Sequence, residues 1–389
     1  MPKKKKIVLL GATGSIGDST LKVLRGNTDR LELIGIAGHS RYEKLAAIAH
    51  EFGVTDVTIF DQTACEQAEK EKAFPPGTRL RHGLEGLTAL ATLPEAEMVV
   101  VAVVGTLGLQ PTLAAIEHGK SIALASKEIL VMAGRFVMEA ARRKGVAIVP
   151  LDSEHNAIFQ CLHGERPEDV DRLILTASGG QFRDYTPEQM QDITREEALK
   201  HPNWDMGPKI TVDSSTMANK GLEVIEARWL FDIQADRIDV VVHPQSIVHS
   251  MVQFIDGSIL AQLSPPSMTF AIQHSILYPE RARGVHPTLD FSTLMRLDFR
   301  PPDTARFPCL RLAFEALRAE GCAPAIFNAA NEVAVAAFLD NRLPYLGIPK
   351  VIETTLGQLG AGSPGNLEDV LATDAEARKV ADSIVNHHG

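Results

Sequence analysis

Asp152 and Glu154 lie two residues apart in PLDSEHNAIFQ, and Glu223 closes the run DSSTMANKGLE. In an extended segment, residues two apart point to one side. Two carboxylates that close repel each other unless a proton or a cation sits between them. An all-oxygen ligand set suits Mg²⁺ or Mn²⁺ rather than zinc, and Glu223 can supply a third carboxylate. On a helix, Asn219 and Glu223 share a face at i and i+4, and Lys220 adjoins Glu223 at i, i+3. Ser178, Ser214, Asn219 and Lys220 offer donors to an anion such as phosphate. The Ser178-Gly179-Gly180 turn adds backbone N–H groups, and the helix after Ser214 adds its N-terminus. Plainer readings stand beside these: Asp152 and Glu154 as acids of a helix first turn, and Glu223 as a salt-bridge partner of Lys220. His155 and His243 are candidate ligands as well, each more simply a hydrogen-bonded structural histidine.

Three apolar runs must position these groups. VAIVPL precedes Asp152, RLILTA precedes Ser178, and KITV precedes Asp213-Ser214-Ser215-Thr216, which opens the helix MANKGLEVIEARWLF. Each run is predicted as a strand with polar residues at its end, and strands lying side by side would join those ends into one pocket. LKHPNWDMGPK, residues 199–209, is predicted as a loop by its prolines and glycine. It carries His201, Trp204 and Met206, and a loop with large apolar residues beside a site is a candidate lid. IVHSMVQFIDGSILAQL is predicted as a hairpin around Asp256-Gly257, a sheet that can support a dimer.

The first 150 residues carry a second chemistry. KKIVLLGATGSIGDSTLKVLRG places Gly11, Gly14 and Gly17 between a strand and an amphipathic helix. Gly11 allows a tight turn, Gly14 lets the backbone approach a pyrophosphate, and Gly17 lets helix and strand pack closely. The helix N-terminus then faces the anion with its N–H groups. The strand LELIGIAGH ends in Gly38-His39-Ser40-Arg41, with no carboxylate to grip ribose hydroxyls or to repel a 2′-phosphate. That favours NADP over NAD. The plainer role for Arg41 is to cap a surface turn. VTIF, EMVVVAVVG and SIALAS continue a strand–helix alternation, which implies a parallel sheet covered on both faces. Lys127 follows SIALAS, at the strand end where such sheets bind ligands.

The expected fold class is α/β: an N-terminal Rossmann-type parallel sheet (1–150), a central α+β catalytic domain (151–300), a proline-rich linker (301–308) and a C-terminal helical bundle (309–389). The chain has 389 residues, a net charge of −10 and no basic stripe, which argues against nucleic acid. No segment has the apolar length of a membrane span, and the short run IVLL after Lys3–Lys6 does not make a signal peptide. Cys65, Cys161, Cys309 and Cys322 are scattered without a CxxC pair, as expected in a reducing cytoplasm. Two further readings are another NADP-dependent dehydrogenase, such as a semialdehyde or polyol dehydrogenase, and a non-catalytic NADP-sensing protein.

GATGSIG, LASKE, PLDSEHNAIFQ, the SGG turn, HPNWDMG, DSSTMANKGLE and HPQSIVHSMVQ, in this order, resemble the 1-deoxy-D-xylulose 5-phosphate reductoisomerase family over nearly the whole chain. The resemblance implies a homodimer that converts 1-deoxy-D-xylulose 5-phosphate to 2-C-methyl-D-erythritol 4-phosphate in the non-mevalonate isoprenoid (MEP) pathway. It implies NADPH and Mg²⁺ or Mn²⁺, with Co²⁺ as a further option, and inhibition by the phosphonate fosmidomycin. Metal ligation falls to Asp152, Glu154 and Glu223, and Lys127 stands near the reacting hydroxyls. Substrate contacts fall to Ser153, Glu154, Ser178, His201, Ser214, Asn219, Lys220 and Glu223, with Trp204 in the lid. Cofactor contacts fall to Gly11, Thr13, Gly14, Ser15, Ile16, Gly38, His39, Ser40, Arg41, Ser126, Glu128 and Gly207. Ser126 stands where the family often has Asn.

Overall fold

The computed structural model describes residues 3–204, 206–293 and 295–388. The chain divides into two compact units. The first comprises Met1–Ile129, Arg135–Asn156 and Ser267–Thr288, and the second comprises Leu130–Gly134, Ala157–Pro266 and Leu289–Gly389. Residues 267–288 fall within the stretch 151–300 expected to be catalytic, yet they pack in the first unit.

Strands β1 (Lys5–Leu10), β2 (Leu31–Gly38), β3 (Asp56–Ile59), β4 (Arg79–His82), β5 (Met98–Val101), β6 (Ser121–Leu124) and β7 (Ile148–Pro150) build the first unit's sheet. Its order is β4-β3-β2-β1-β5-β6-β7, and every pairing is parallel. Ile7, Val8, Leu9 and Leu10 are wholly buried, which is why β1 reads as an unbroken apolar run rather than an alternating one. The connecting helices are α1 (Ser15–Gly26), α2 (Tyr42–Phe52), α3 (Gln62–Lys70), α4 (Gly83–Ala91), α5 (Leu109–Glu117), α6 (Glu128–Lys144) and α7 (Ser153–Cys161). The strand order reverses beside β1, the switch point at which open α/β sheets open a crevice for ligands. β5 stops at Val101, short of the expected Gly105, because the backbone of Ala102 and Val103 turns toward Gly11. Short β4, absent from the sequence reading, is held at the sheet edge where Arg79 and Arg81 both bond Asp56.

The second unit contains β8 (Val170–Ala177), α8 (Arg195–Ala198), α9 (Pro208–Ser215), α10 (Ala218–Leu230), β9 (Ile238–Val242), β10 (Val248–Phe254) and β11 (Ile259–Leu263). The sheet order is β11-β10-β8-β9. β8 runs parallel to β9 and antiparallel to β10, and β10 and β11 form the expected hairpin. Helix α11 (Met268–Leu277) then returns to the first unit, where Ser275 Oγ donates to Pro150 O at 2.6 Å and Asn156 Nδ2 donates to Ser275 Oγ at 2.8 Å. The expected C-terminal helices are α12 (Pro308–Ala319), α13 (Ala323–Leu339), α14 (Gly347–Leu359) and α15 (Leu367–His388). Phe327, Val335, Ile348 and Ile352 lie in a hydrophobic core shared with β8 and α10. Among the described residues no helix is long and apolar enough to cross a membrane.

One expected strand is a helix. KITV lies inside α9, which starts from Gly207 as N-cap with Pro208 in its first turn. Its β-branched residues favour a strand locally. Packing overrides that preference: Val212 is fully buried, Thr211 Oγ1 donates back to Gly207 O at 2.8 Å, and buried Asp213 is gripped by Lys209 Nζ at 2.7 Å and Asn331 Nδ2 at 2.9 Å. The picture of three adjacent strand ends is therefore corrected. β7 and β8 belong to different sheets, and Ser214 ends a helix.

Candidate active site

In the first unit, the turn after β1 is built almost entirely from backbone. Gly11 sits at φ +96°, and a Cβ there would lie 2.2 Å from Ala102 O. Gly14 N-caps α1. A Cβ on it would meet nothing nearer than Gly11 O at 3.5 Å, so the space over Gly14 is open and a pyrophosphate can approach the N–H groups of Ser15 and Ile16. Gly38 at the end of β2 lets Thr13 come close, with Thr13 Cγ2 3.2 Å from where a Cβ would stand. Arg41 is the N-cap residue of α2, and its Nη2 donates to Thr13 O at 2.5 Å. Lys44, one turn on, also reaches Thr13 O at 3.2 Å and pairs with Asp18 at 2.8 Å. Two cations thus stand beside the turn. The sequence reading named only Arg41; the signal for Lys44 was its i+3 spacing on the same helix. His39 and Ser40 are exposed, and His39 lies against Phe60 with ring centroids 5.5 Å apart.

At the far side of the same sheet, Lys127 N-caps α6 and is buried. Its Nζ lies 2.5 Å from Asp152 Oδ2, a carboxylate 12% exposed. Burial pushes the Asp152 carboxyl up, but the charges of Lys127 and His155, together with hydrogen bonds from Glu154 and Lys127, hold it well below the usual carboxylate range. The Glu154 N–H reaches Asp152 Oδ1 at 3.4 Å, and Ser153 Oγ donates to Glu154 Oε2. The structure therefore brings Lys127, Asp152, Ser153 and Glu154 together, at the first turn of α7. The Ser126 hydroxyl is buried and donates to Val103 O. Glu128, beside it, opens α6.

In the second unit, the turn Ser178-Gly179-Gly180 follows β8 with φ +78° at Gly179 and +69° at Gly180. A Cβ on Gly180 would lie 2.8 Å from Ser214 O, so this turn packs directly on the end of α9. Ser178 Oγ lies 3.1 Å from His201 Nε2 and accepts from Gly180 N–H at 3.2 Å. His201 Nδ1 accepts from Asn203 N at 3.1 Å and Trp204 N at 3.0 Å. Burial, helped by Arg183, pushes His201 down to about 4. Trp204 is half-buried, with its ring edge-on to His249 at 6.4 Å. Asp205 of the expected lid lies outside the described residues. Gly207 N-caps α9 with open space where a side chain would be.

Met217, at φ +61°, turns the chain from α9 into α10. Asn219 Nδ2 donates to Glu223 Oε1 at 2.5 Å and Lys220 Nζ to Glu223 Oε2. Glu223 is 1% exposed. The i, i+3 and i, i+4 relations expected of these three residues hold. His243 is structural: its Nδ1 donates to Asp298 O at 2.9 Å and its Nε2 accepts from the N–H groups of Ile247 and Val248.

Each unit thus carries a buried lysine–carboxylate pair at the end of a secondary element, and the first adds an open dinucleotide turn. Family profiles described as 1-deoxy-D-xylulose 5-phosphate reductoisomerase match residues 7–134 and, for its C-terminal domain, 148–231, and a DXP reductoisomerase C-terminal domain matches 263–380. The chain is 50% identical to the 1-deoxy-D-xylulose 5-phosphate reductoisomerase of Dechloromonas aromatica, covering 98% of each. It is 50% identical to that of Geobacillus kaustophilus, covering 98% of this chain and 100% of the relative. A solved reductoisomerase from Zymomonas mobilis in complex with NADPH superposes with a TM-score of 0.92 at 42% identity, over 98% of this chain and 99% of that one. A crystal structure of a DOX-P reductoisomerase in complex with NADPH, fosmidomycin and magnesium gives 0.91 at 40% identity, over 98% of both. With likeness running over 98% of its length, the chain belongs to the 1-deoxy-D-xylulose 5-phosphate reductoisomerase family.

Proposed function

We propose that this chain rearranges 1-deoxy-D-xylulose 5-phosphate and reduces the product to 2-C-methyl-D-erythritol 4-phosphate, using NADPH and a divalent cation, as a step of the MEP isoprenoid pathway. The observation that carries this reading is the pair of buried lysine–carboxylate contacts, Lys127 with Asp152 and Lys220 with Glu223. Buried carboxylates paired with ammonium groups are ready-made hard-oxygen ligands. Asp152, Glu154 and Glu223 are the residues that hold the cation, and the donor set fits Mg²⁺ or Mn²⁺. When bound, the cation supplies Lewis acidity toward a carbonyl and its neighbouring hydroxyl, and NADPH supplies hydride.

The chain's own groups do the rest. Lys127 and Lys220, paired to carboxylates here, would offer their ammonium groups to substrate oxygens with the cation held by those carboxylates. Ser153 and Asn219 orient the sugar hydroxyls. Ser178, Ser214, Asn219 and Lys220 take the phosphate, with His201 behind Ser178, and its binding energy is spent on orientation and on closing the Trp204 loop. Gly11, Thr13, Gly14, Ser15 and Ile16 cradle the pyrophosphate, and Arg41, with Lys44, meets the 2′-phosphate. Gly38, His39, Ser40, Glu128 and Gly207 line the rest of the cofactor site. Ser126 borders this site as well: its hydroxyl donates to Val103 O and keeps its lone pairs for a cofactor donor.

The chain works as a homodimer in the cytoplasm. The edge strand β11 supports the dimer, because Ile259, Leu260 and Leu263 are 49%, 44% and 36% exposed and Ile255 beside them is 68% exposed. Four free cysteines, all buried, suit a reducing compartment.

The test follows NADPH absorbance with 1-deoxy-D-xylulose 5-phosphate and Mg²⁺ or Mn²⁺, for the wild type and Glu223→Gln, with and without chelator. Wild-type oxidation should stop in chelator, and Glu223→Gln should lose about 10³-fold in kcat, the several kcal/mol that Lewis-acid stabilisation provides. No turnover with any divalent metal, in protein that binds NADPH, would sink the reading.

A further inference from the structure

We propose that Asn203 is a positioning residue: it fixes the tautomer of His201 and so makes the Ser178 hydroxyl a pure hydrogen-bond donor toward the substrate's phosphate dianion. The inference rests on the reading of Ser178 as a phosphate contact and adds the direction of its hydrogen bond.

His201 Nδ1 receives two backbone N–H groups, from Asn203 at 3.1 Å and Trp204 at 3.0 Å. A nitrogen facing donors must offer its lone pair, so in a neutral imidazole the hydrogen sits on Nε2. Nε2 lies 3.1 Å from Ser178 Oγ and donates to it. Gly180 N–H donates to the same oxygen at 3.2 Å. A hydroxyl oxygen has two lone pairs, and both are taken. What Ser178 has left to give is its own hydrogen. A phosphate dianion offers only acceptors, so this polarity matches it.

Asn203 holds the segment that sets this chain of bonds. Its Nδ2 donates to Pro244 O at 2.7 Å and to Ser246 Oγ at 3.0 Å, in the turn between β9 and β10. Ser246 itself sits at φ +51°. In that turn His243 shows the same device in mirror form: two backbone N–H groups fall on Nε2, and the hydrogen sits on Nδ1. The burial that keeps His201 neutral suits a fixed donor rather than a titrating cation.

The test is ¹⁵N NMR of histidine-labelled, full-length protein without ligand, with steady-state kinetics alongside. The wild type should show His201 as the neutral Nε2–H tautomer at pH 7. Asn203→Ala should give a mixture of tautomers and a fall in kcat/KM of about tenfold, the scale of one hydrogen bond to a charged group. Ser246→Ala, which removes one of the two anchors and leaves the amide in place, should move both readouts the same way by less. It guards against a misfolded Asn203→Ala. An Nδ1–H tautomer in the wild type, or unchanged His201 shifts in both variants, overturns the proposal and leaves the phosphate reading untouched. Inorganic phosphate then probes that reading separately. Added phosphate should perturb the His201 resonances; no response with the Nε2–H tautomer intact would remove the phosphate contact, and with it the donor role given to Ser178.

Discussion

The turn after β1 and the turn after β8 both use glycines at positive φ to bring a strand end against another backbone, and they present different chemistry. The first offers peptide N–H groups: its side chains are small, and the ligand site proposed for it is the start of α1. The second offers a serine hydroxyl whose hydrogen is directed by a histidine 23 residues away. A backbone site is complete once its glycines are in place. A side-chain site is complete only when a distant loop and the end of a helix arrive. The two should therefore fail in different ways.

The largest effects expected are on folding. Gly11→Ala would put a Cβ 2.2 Å from Ala102 O, and Gly180→Ala would put one 2.8 Å from Ser214 O, each at a positive φ. Each should cost several kcal/mol in urea unfolding, since a left-handed non-glycine residue alone costs about 1–3 kcal/mol. Gly14→Ala breaks the symmetry of that comparison. Nothing lies nearer than 3.5 Å, so stability should hold while NADPH affinity, measured by fluorescence titration, falls about 10- to 100-fold through loss of close backbone approach to the pyrophosphate. If Gly14→Ala unfolds the protein as Gly11→Ala does, the turn is structural and the dinucleotide reading of its glycines is wrong.

The next effect is one of selectivity. Arg41 lies beside Thr13 and faces the same turn as Lys44. Arg41→Ala should weaken NADPH by about tenfold and leave NADH almost unchanged, the scale of a hydrogen bond to a charged group. Equal losses for both cofactors would return Arg41 to a capping role at the start of α2.

How far each site can be read from the chain follows the same division. The β1 turn was legible because its requirements are local: a buried strand, three glycines and an amphipathic helix are consecutive. So were the Asn219–Lys220–Glu223 relations, which are fixed by one helix. KITV was misread because its β-branched residues carry a strand preference, while the interactions that make it helical come from elsewhere: Asn331 in α13 bonds Asp213, and Tyr345 Oη donates to Ser215 O at 2.8 Å. The bond from the Ser126 hydroxyl to Val103 O was not legible either, because nothing local joins residues 23 apart. The contribution of Asn203 was invisible for the same reason, since its partners are Pro244 and Ser246.

The smallest expected effect separates the two turns by pH. GATGSIG contains no ionisable side chain, so the first turn contributes no proton linkage of its own. The second does, through His201, which is pushed down to about 4 in the folded protein, against about 6.5 in an unfolded chain. Between those values the unfolded state takes up a proton that the native state refuses, so stability falls as pH drops from about 6.5 toward 4 and is level above that window. His201→Asn keeps an acceptor near the Asn203 and Trp204 N–H groups and removes the titration. Urea midpoints at pH 7 and pH 5 should therefore differ less in His201→Asn than in the wild type, with every other titrating group common to both. A pH dependence identical in wild type and His201→Asn would mean that His201 titrates normally, and the contrast between a backbone site and a proton-linked side-chain site would then have to rest on Ser178 alone.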